Sequence, residues 1–195
     1  MRALRLLFLA ALVLTAGAVS LATADDGTFG VFFDRSGLQC TGSISSGGVG
    51  TLYVVLMPSG STYAGIHGAE FRVTLGSGEL VSVSETFEPN ALPLGAALGS
   101  GVTVGFASCR TGTAIPVMSF QLLASGAARD VNVRVTAKQS PSNNNFQCPL
   151  AVLCDEAYTS VCVTGGRGIV NPGSPRPCGA SRESSEWTRM KEFYR

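Results

Sequence analysis

The sequence predicts an all-β fold, a single immunoglobulin-like sandwich of two sheets built from about eight or nine strands. Three observations carry that prediction. Short valine-rich stretches alternate apolar and polar residues with a period of two. Turns rich in glycine and proline separate them, and the chain holds 24 glycines and 9 prolines. No stretch between them shows the 3.6-residue period of an amphipathic helix.

The chain opens with "MRALRLLFLAALVLTAGAVSLATADD". Arg2 and Arg5 precede an apolar run from Leu6 to about Leu14, and small residues lead to Ala22-Thr23-Ala24 before Asp25. This is the layout of a secretory signal peptide over residues 1–24 with cleavage near Ala24. The apolar run is shorter than the ~20 residues a membrane-spanning helix needs, and no later segment is apolar enough to span. The mature chain is therefore expected outside the cytoplasm, secreted or at the cell surface.

The strands follow in order. "TFGVFFD" precedes "GTLYVVLMP", and "GAEFRVTL" then alternates cleanly. It puts Ala69, Phe71, Val73 and Leu75 on a core face and Glu70, Arg72 and Thr74 toward water. "ELVSVSET", "GVTVGFAS", "PVMSFQLL" and "DVNVRVTA" continue the pattern, the last with Val131, Val133 and Val135 inward. "TSVCVT" and "GRGIVN" complete the sandwich of residues 25–172. "EPNALPLGAALGSG" reads as the longest irregular connection, and "KQSPSNNNFQCPLAVLCDEAY" as a polar, cysteine-bearing loop that the core does not require.

Charge excludes some partners. Arg2 and Arg5 leave with the leader, so of 14 Lys and Arg there remain 12 against 13 Asp and Glu. Such a balance does not attract nucleic acid over a whole surface. All six cysteines, Cys40, Cys109, Cys148, Cys154, Cys162 and Cys178, follow the cleavage site. In an exported chain an even number implies a disulfide framework, with fifteen pairings open. The cluster Cys148, Cys154 and Cys162 is expected to staple locally. A zinc site would want close cysteine pairs or added histidines, and the sole histidine, His67, is distant in sequence.

No catalytic signature is present, and the chain is expected not to be an enzyme and to need no cofactor. A Ser or Cys nucleophile needs a histidine base, and His67 sits where a turn enters a strand. Paired carboxylates hydrolyse glycosides, and Glu70, Glu85, Glu88, Asp155 and Glu156 are the candidates. They are expected instead at strand surfaces and turns. Asp155-Glu156 also lacks the alternating oxygen ligands of a calcium loop. Polysaccharide binding relies on aromatic faces, for which the sandwich offers Tyr53, Tyr63, Phe87 and Phe146 but no tryptophan.

The succession "GTLYVVLM", "GIHGAEFRVTL", "TVGFAS", "PVMSFQLLASG", "DVNVRV" and "GRGIV" resembles the cohesin-like branch of the bacterial carbohydrate-binding β-sandwich superfamily. The resemblance spans about residues 28–172, and "GAEF" and "SFQLLASG" are its most specific parts. It implies a non-catalytic sandwich that binds a partner module, a protein in the cohesin branch or a polysaccharide in the related modules. Six cysteines and a charged tail depart from the cohesin pattern.

Beyond the sandwich, "NPGSPRPCGAS" carries three prolines and two glycines. Residues 173–181 read as an extended linker. Residues 182–195, "RESSEWTRMKEFYR", hold the only tryptophan. As a short helix begun near Ser184 or Ser185, they place Trp187, Met190 and Tyr194 on one face with Phe193 beside them. Residues 176–195 contain five basic and three acidic side chains, against seven basic and ten acidic in residues 25–175. Trp187, Met190, Lys191, Phe193 and Tyr194 form a candidate docking face for a partner; the alternatives are that the segment packs on its own sandwich or frays as a terminus, or that it meets a membrane interface, which its short apolar face and three acids oppose. W-x-x-x-K-x-x-Y-R resembles the endings of exported bacterial β-sandwich proteins. A protein or polysaccharide partner outside the cytoplasm is the expectation.

Overall fold

The computed structural model describes residues 26–174. The expected signal peptide of residues 1–24, most of the expected linker, and the expected C-terminal helix with its docking face at Trp187, Met190, Lys191, Phe193 and Tyr194 lie outside the described residues, as does Cys178. The described chain is an all-β sandwich of two sheets.

Thirteen strands form it: β1 (Gly27–Phe32), β2 (Thr41–Gly42), β3 (Val49–Pro58), β4 (Ile66–Leu75), β5 (Leu80–Phe87), β6 (Ala91–Ala96), β7 (Gly101–Arg110), β8 (Ile115–Ala124), β9 (Val131–Thr136), β10 (Leu150–Leu153), β11 (Ser160–Cys162), β12 (Thr164–Gly165) and β13 (Arg167–Val170). A single turn of 3₁₀ helix, Gly60–Ala64, links β3 to β4. The first sheet runs β12-β1-β3-β8-β5. The second runs β11-β10-β4-β9-β13-β2, with β7 also paired to β4 and β6 paired to β7.

The period-two alternation places the core. Phe29 and Val31 of β1, Leu52, Val54 and Leu56 of β3, and Phe120 and Leu122 of β8 face Ala69, Phe71 and Val73 of β4 and Val133 and Val135 of β9. All are buried, and the Phe29 and Phe71 rings meet at 5.4 Å between the sheets. At the lower end Asn171 takes a left-handed backbone (φ 53), a conformation its short amide tolerates. Its side chain accepts from Ile44 N and donates to the carbonyls of Ile44 and Ala128, closing that end of the sandwich.

Several expectations are corrected. The strands number thirteen, not eight or nine, because the two segments read as irregular each contain a strand, "TSVCVT" divides into two and Thr41–Gly42 adds a short one. "ALPLGA" is β6, an edge strand pairing only with β7; Pro93 has no N–H to donate and is tolerated at such an edge. "LAVL" within the cysteine-bearing loop is β10, paired with β4 on one side and β11 on the other. "TSVCVT" is not one strand. It divides between β11 in the second sheet and β12 in the first, with Val163 buried at the crossing.

Phe71 lies at the centre of this core, so Phe71→Ala is expected to cost about 3–5 kcal/mol. Urea denaturation followed by circular dichroism checks the value, with the midpoint falling and the slope unchanged.

Candidate functional site

The outer face of the second sheet has an unusual distribution of side-chain size. Strand registry places Leu92 of β6 opposite Gly105 of β7, Gly105 opposite Gly68 of β4, and Gly68 opposite Val152 of β10. Val104 and Phe106 point into the core, so Gly105 between them faces outward. Two glycines side by side in adjacent central strands leave the sheet without side chains there. The result is an open groove of about 710 Å³ with backbone as its floor.

Its walls are apolar. On the β6 side Leu92 and Leu94 stand 74% and 72% exposed. On the β10 side are Val152, His67 and Tyr158, with the His67 and Tyr158 ring centroids 5.3 Å apart and the planes tilted by 56°. Apart from the Tyr158 phenol, His67 is the only ionisable side chain among the lining residues. Asp155 and Glu156 are exposed in the turn that carries Tyr158.

That turn is strained. Tyr158 has φ 50, a left-handed conformation that costs a bulky residue about 1–3 kcal/mol and persists only where neighbours impose it. Tyr158 N donates to Asp155 O at 3.1 Å, Thr159 N donates to the Asp155 carboxylate at 2.7 Å, and Leu153 N donates to Thr159 O at 2.8 Å. The hydrogen bonds from Thr159 to the Asp155 carboxylate are the main cause that holds its pKa below the ordinary aspartate value. The Cys109–Cys154 disulfide then ties the turn to the end of β7, and Cys154 N donates to Gly65 O beside it.

One row along, the same face is covered instead of open. Leu94, Thr103, Glu70 and Leu150 lie in register, and Glu70 is only 4% exposed although it points away from the core. Its carboxylate accepts from Thr103 Oγ1 at 2.7 Å, from Ser142 N at 2.9 Å and from the Ser142 hydroxyl. Lys138 Nζ sits 3.5 Å from it and donates to Thr103 Oγ1 at 2.9 Å. Burial alone would raise the Glu70 pKa. The hydrogen bonds from Ser142 and Thr103, with the Lys138 charge, outweigh it and hold the group below its ordinary value of 4.5. Glu70 therefore does not face water as its alternation suggests, because the 137–149 loop lies over it. That loop is also fastened by Cys148–Cys162.

The remaining sequence candidates are dispersed. Glu85 accepts from Ala97 N and Leu98 N, and Glu88 pairs with Arg35 at 2.6 Å. Glu70 is engaged as described, and Asp155 caps its own turn. Tyr53 packs half-buried against Phe32, Cys40 and Val55, Phe87 packs against the core, and Tyr63 is exposed on the 3₁₀ turn. Of the cysteines, Cys148 and Cys162 do staple locally, but Cys154 reaches back to Cys109; Cys40 is disulfide-bonded as well. Among the described residues no group of three or more His, Cys, Asp or Glu gathers as for a metal ion.

Sequence reasoning missed the groove itself: Gly68, Gly105, Leu92, Leu94, Val152 and Tyr158. A signal existed in the lone glycines inside two strand patterns, "GIHGAEF" and "TVGFAS", since glycine within a strand marks a place where another group approaches the backbone.

Neither a protein-family model nor a curated protein sequence matches this chain. Its fold is nonetheless found among solved structures. It is similar to the cohesin module of a family 33 glycoside hydrolase from Clostridium perfringens, with a TM-score of 0.54 at 8% identity over 77% of this chain and 99% of that one. It is likewise similar to the sixth cohesin of scaffoldin B from Acetivibrio cellulolyticus, solved with a mutant Cel5 dockerin, with a TM-score of 0.50 at 19% identity over 75% and 98% of the two chains. The fold is a cohesin-like β-sandwich.

Two outcomes follow from this geometry. A Cβ at Gly105 meets nothing within 4 Å, whereas one at Gly68 falls 2.8 Å from Val104 O. Gly105→Ala is thus expected to leave stability unchanged or raise it by up to ~1 kcal/mol, and Gly68→Ala to lower it by ~1–3 kcal/mol, as read by thermal melts. For Glu70, a folded pKa below the unfolded one means that its stabilisation is complete above pH 4.5 and is lost as pH falls through the folded value. Urea midpoints measured downward from pH 5 should fall for the wild type and fall less steeply for Glu70→Gln.

Proposed function

Given a cohesin-like fold with an open, backbone-floored groove on its second sheet, we propose that the chain is an exported, non-catalytic binding module that docks a protein partner in that groove. The observation that carries this reading is the Gly68–Gly105 pair. It opens a concave apolar strip between Leu92 and Leu94 on one side and Val152 and Tyr158 on the other. Inserted apolar side chains gain ~25 cal/mol per Å² removed from water, and an exposed apolar strip of this kind is otherwise a liability on a soluble surface. The strained Tyr158 and its disulfide keep one wall in place before a partner arrives, which lowers the entropic cost of docking.

Two further facts support the reading. The leader expected from the sequence and the disulfides agree with a site of action outside the cytoplasm. The similar Acetivibrio cellulolyticus cohesin is bound to a dockerin, a protein module, so a partner of that kind fits the fold. A polysaccharide is less well served: the His67 and Tyr158 rings are tilted to each other instead of forming one flat stacking platform.

The test is retention by the immobilised chain of envelope and extracellular proteins on one hand and insoluble polysaccharides on the other. The wild type should retain a protein that Gly105→Gln, whose Cβ meets no atom within 4 Å and whose longer side chain projects from the groove floor, binds at least about tenfold more weakly. Equal retention by Gly105→Gln, or retention on polysaccharide alone, contradicts the assignment.

A further inference from the structure

The basic side chains of the sandwich are unevenly placed. Residues 25–175 hold seven of them against ten acids. Arg35 pairs with Glu88, Arg129 with Asp130 and Lys138 with Glu70. Arg110 lies over the Phe106 ring and donates to Pro89 O. The other three, Arg72, Arg134 and Arg167, share the outer face of the second sheet, on the far side of Glu70 from the groove. Strand registry sets Arg167 of β13 opposite Arg134 of β9, and Arg134 opposite Thr74 of β4, two residues along from Arg72. Val133 and Val135 are buried on either side of Arg134, which therefore points outward.

This row carries an uncompensated charge. Directly opposed side chains on adjacent strands stand about 5.5 Å apart and diagonal ones about 7–8 Å, and like charges directly opposite are destabilising. Among the described residues no carboxylate comes within ion-pairing distance of any of the three. Arg134 and Arg167 are exposed, while Arg72 is half-buried, its Nε enclosed without an acceptor among the described residues. A threonine or glutamine would serve at such positions without repulsion, so the arginines cost the isolated chain stability. An anion from outside returns it.

A protein supplies that anion best. Guanidinium forks match carboxylates two hydrogen bonds at a time. The neighbours on this face, Thr74, Asn132 and Thr136, offer no ring on which a sugar could stack. The row also continues the face that holds the groove. Arg72 lies four residues from Gly68 on β4, roughly 13 Å, and a stable interface covers ~800 Å² per partner, a disc reaching roughly 16 Å from its centre. A protein seated in the groove therefore extends over the 137–149 loop to Arg72 and toward Arg134. We infer that Arg72, Arg134 and Arg167 receive an acidic segment of the docked protein, which fixes its orientation on the sheet and speeds its approach. This inference rests on the groove docking a protein and adds the charge which that protein carries.

The test follows the residue-assigned arginine Nε–H NMR signals of residues 25–195, with poly-L-glutamate as the probe at low ionic strength. Those of Arg72, Arg134 and Arg167 should shift while those of Arg35 and Arg110 stay in place, and about 0.5 M salt should abolish the response. Arg134→Gln combined with Arg167→Gln should weaken the affinity read at Arg72 several-fold and leave the thermal midpoint unchanged or higher. Gly105→Gln should bind the probe as the wild type does. A protein retained by the wild type should associate several-fold more slowly with the chain carrying Arg134→Glu and Arg167→Glu. Four results overturn the inference: no shift at the three arginines, a lower midpoint in the glutamine variant, tighter binding of polygalacturonate or phosphatidylglycerol vesicles than of poly-L-glutamate, or unchanged association of the retained protein with the glutamate variant. If no protein is retained while poly-L-glutamate still shifts the three signals, the groove reading fails and the acid-recognising row stands.

Discussion

A buried carboxylate on the outer face of β4 governs how much of the second sheet is covered. An ionised group at 4% exposure is tolerable only if its oxygens are matched, and Glu70 is matched by Thr103, Ser142 and Lys138. Two of those partners belong to the 137–149 loop, so satisfying Glu70 draws that loop down over the sheet. Two residues earlier on the same face stands Gly68, with no side chain to recruit a cover and with Gly105 beside it. The boundary between covered and open surface thus falls between Glu70 and Gly68 on one strand. The inner face of that strand, Ala69, Phe71 and Val73, meanwhile holds the two sheets together.

The disulfides serve this surface as much as the core. Cys148–Cys162 fastens the covering loop to β11, and Cys109–Cys154 fastens the Tyr158 turn to β7. Each closes a loop that would otherwise add to the disorder of the unfolded chain. Both also bracket the groove, so the walls are set by covalent links and by the Asp155 turn, whereas the floor is set by main-chain pairing. The other sheet offers a useful contrast. Its outer row, Val49, Leu123 and Val81, is also apolar and partly exposed, but every position bears a side chain and no backbone floor opens there.

The fold was legible because alternation reports burial directly: "GAEFRVTL" and "DVNVRVTA" place their core residues as their pattern implies. What escaped depends on register or on distant partners. Glu70 reads as a water-facing residue, and the loop that covers it lies some seventy positions away in the chain. β6 was hidden by Pro93 and by glycines that usually signal a loop, and β10 by the cysteines around it. Gly68 and Gly105 are each unremarkable alone; only their pairing across the β4–β7 ladder makes a groove, and a linear sequence does not show which strands adjoin. Tyr158 escaped for a related reason, since its importance comes from a left-handed backbone and not from its neighbours in sequence.

The claim that this groove is the docking surface is tested most directly by methyl-labelled NMR of the chain with the protein it retains. The account predicts that the methyl signals of Leu92, Leu94 and Val152 shift or broaden on binding, and that those of Val49, Val81, Val83 and Leu123 on the other sheet stay in place. Perturbation confined to the second set, with the groove methyls unmoved, would contradict it.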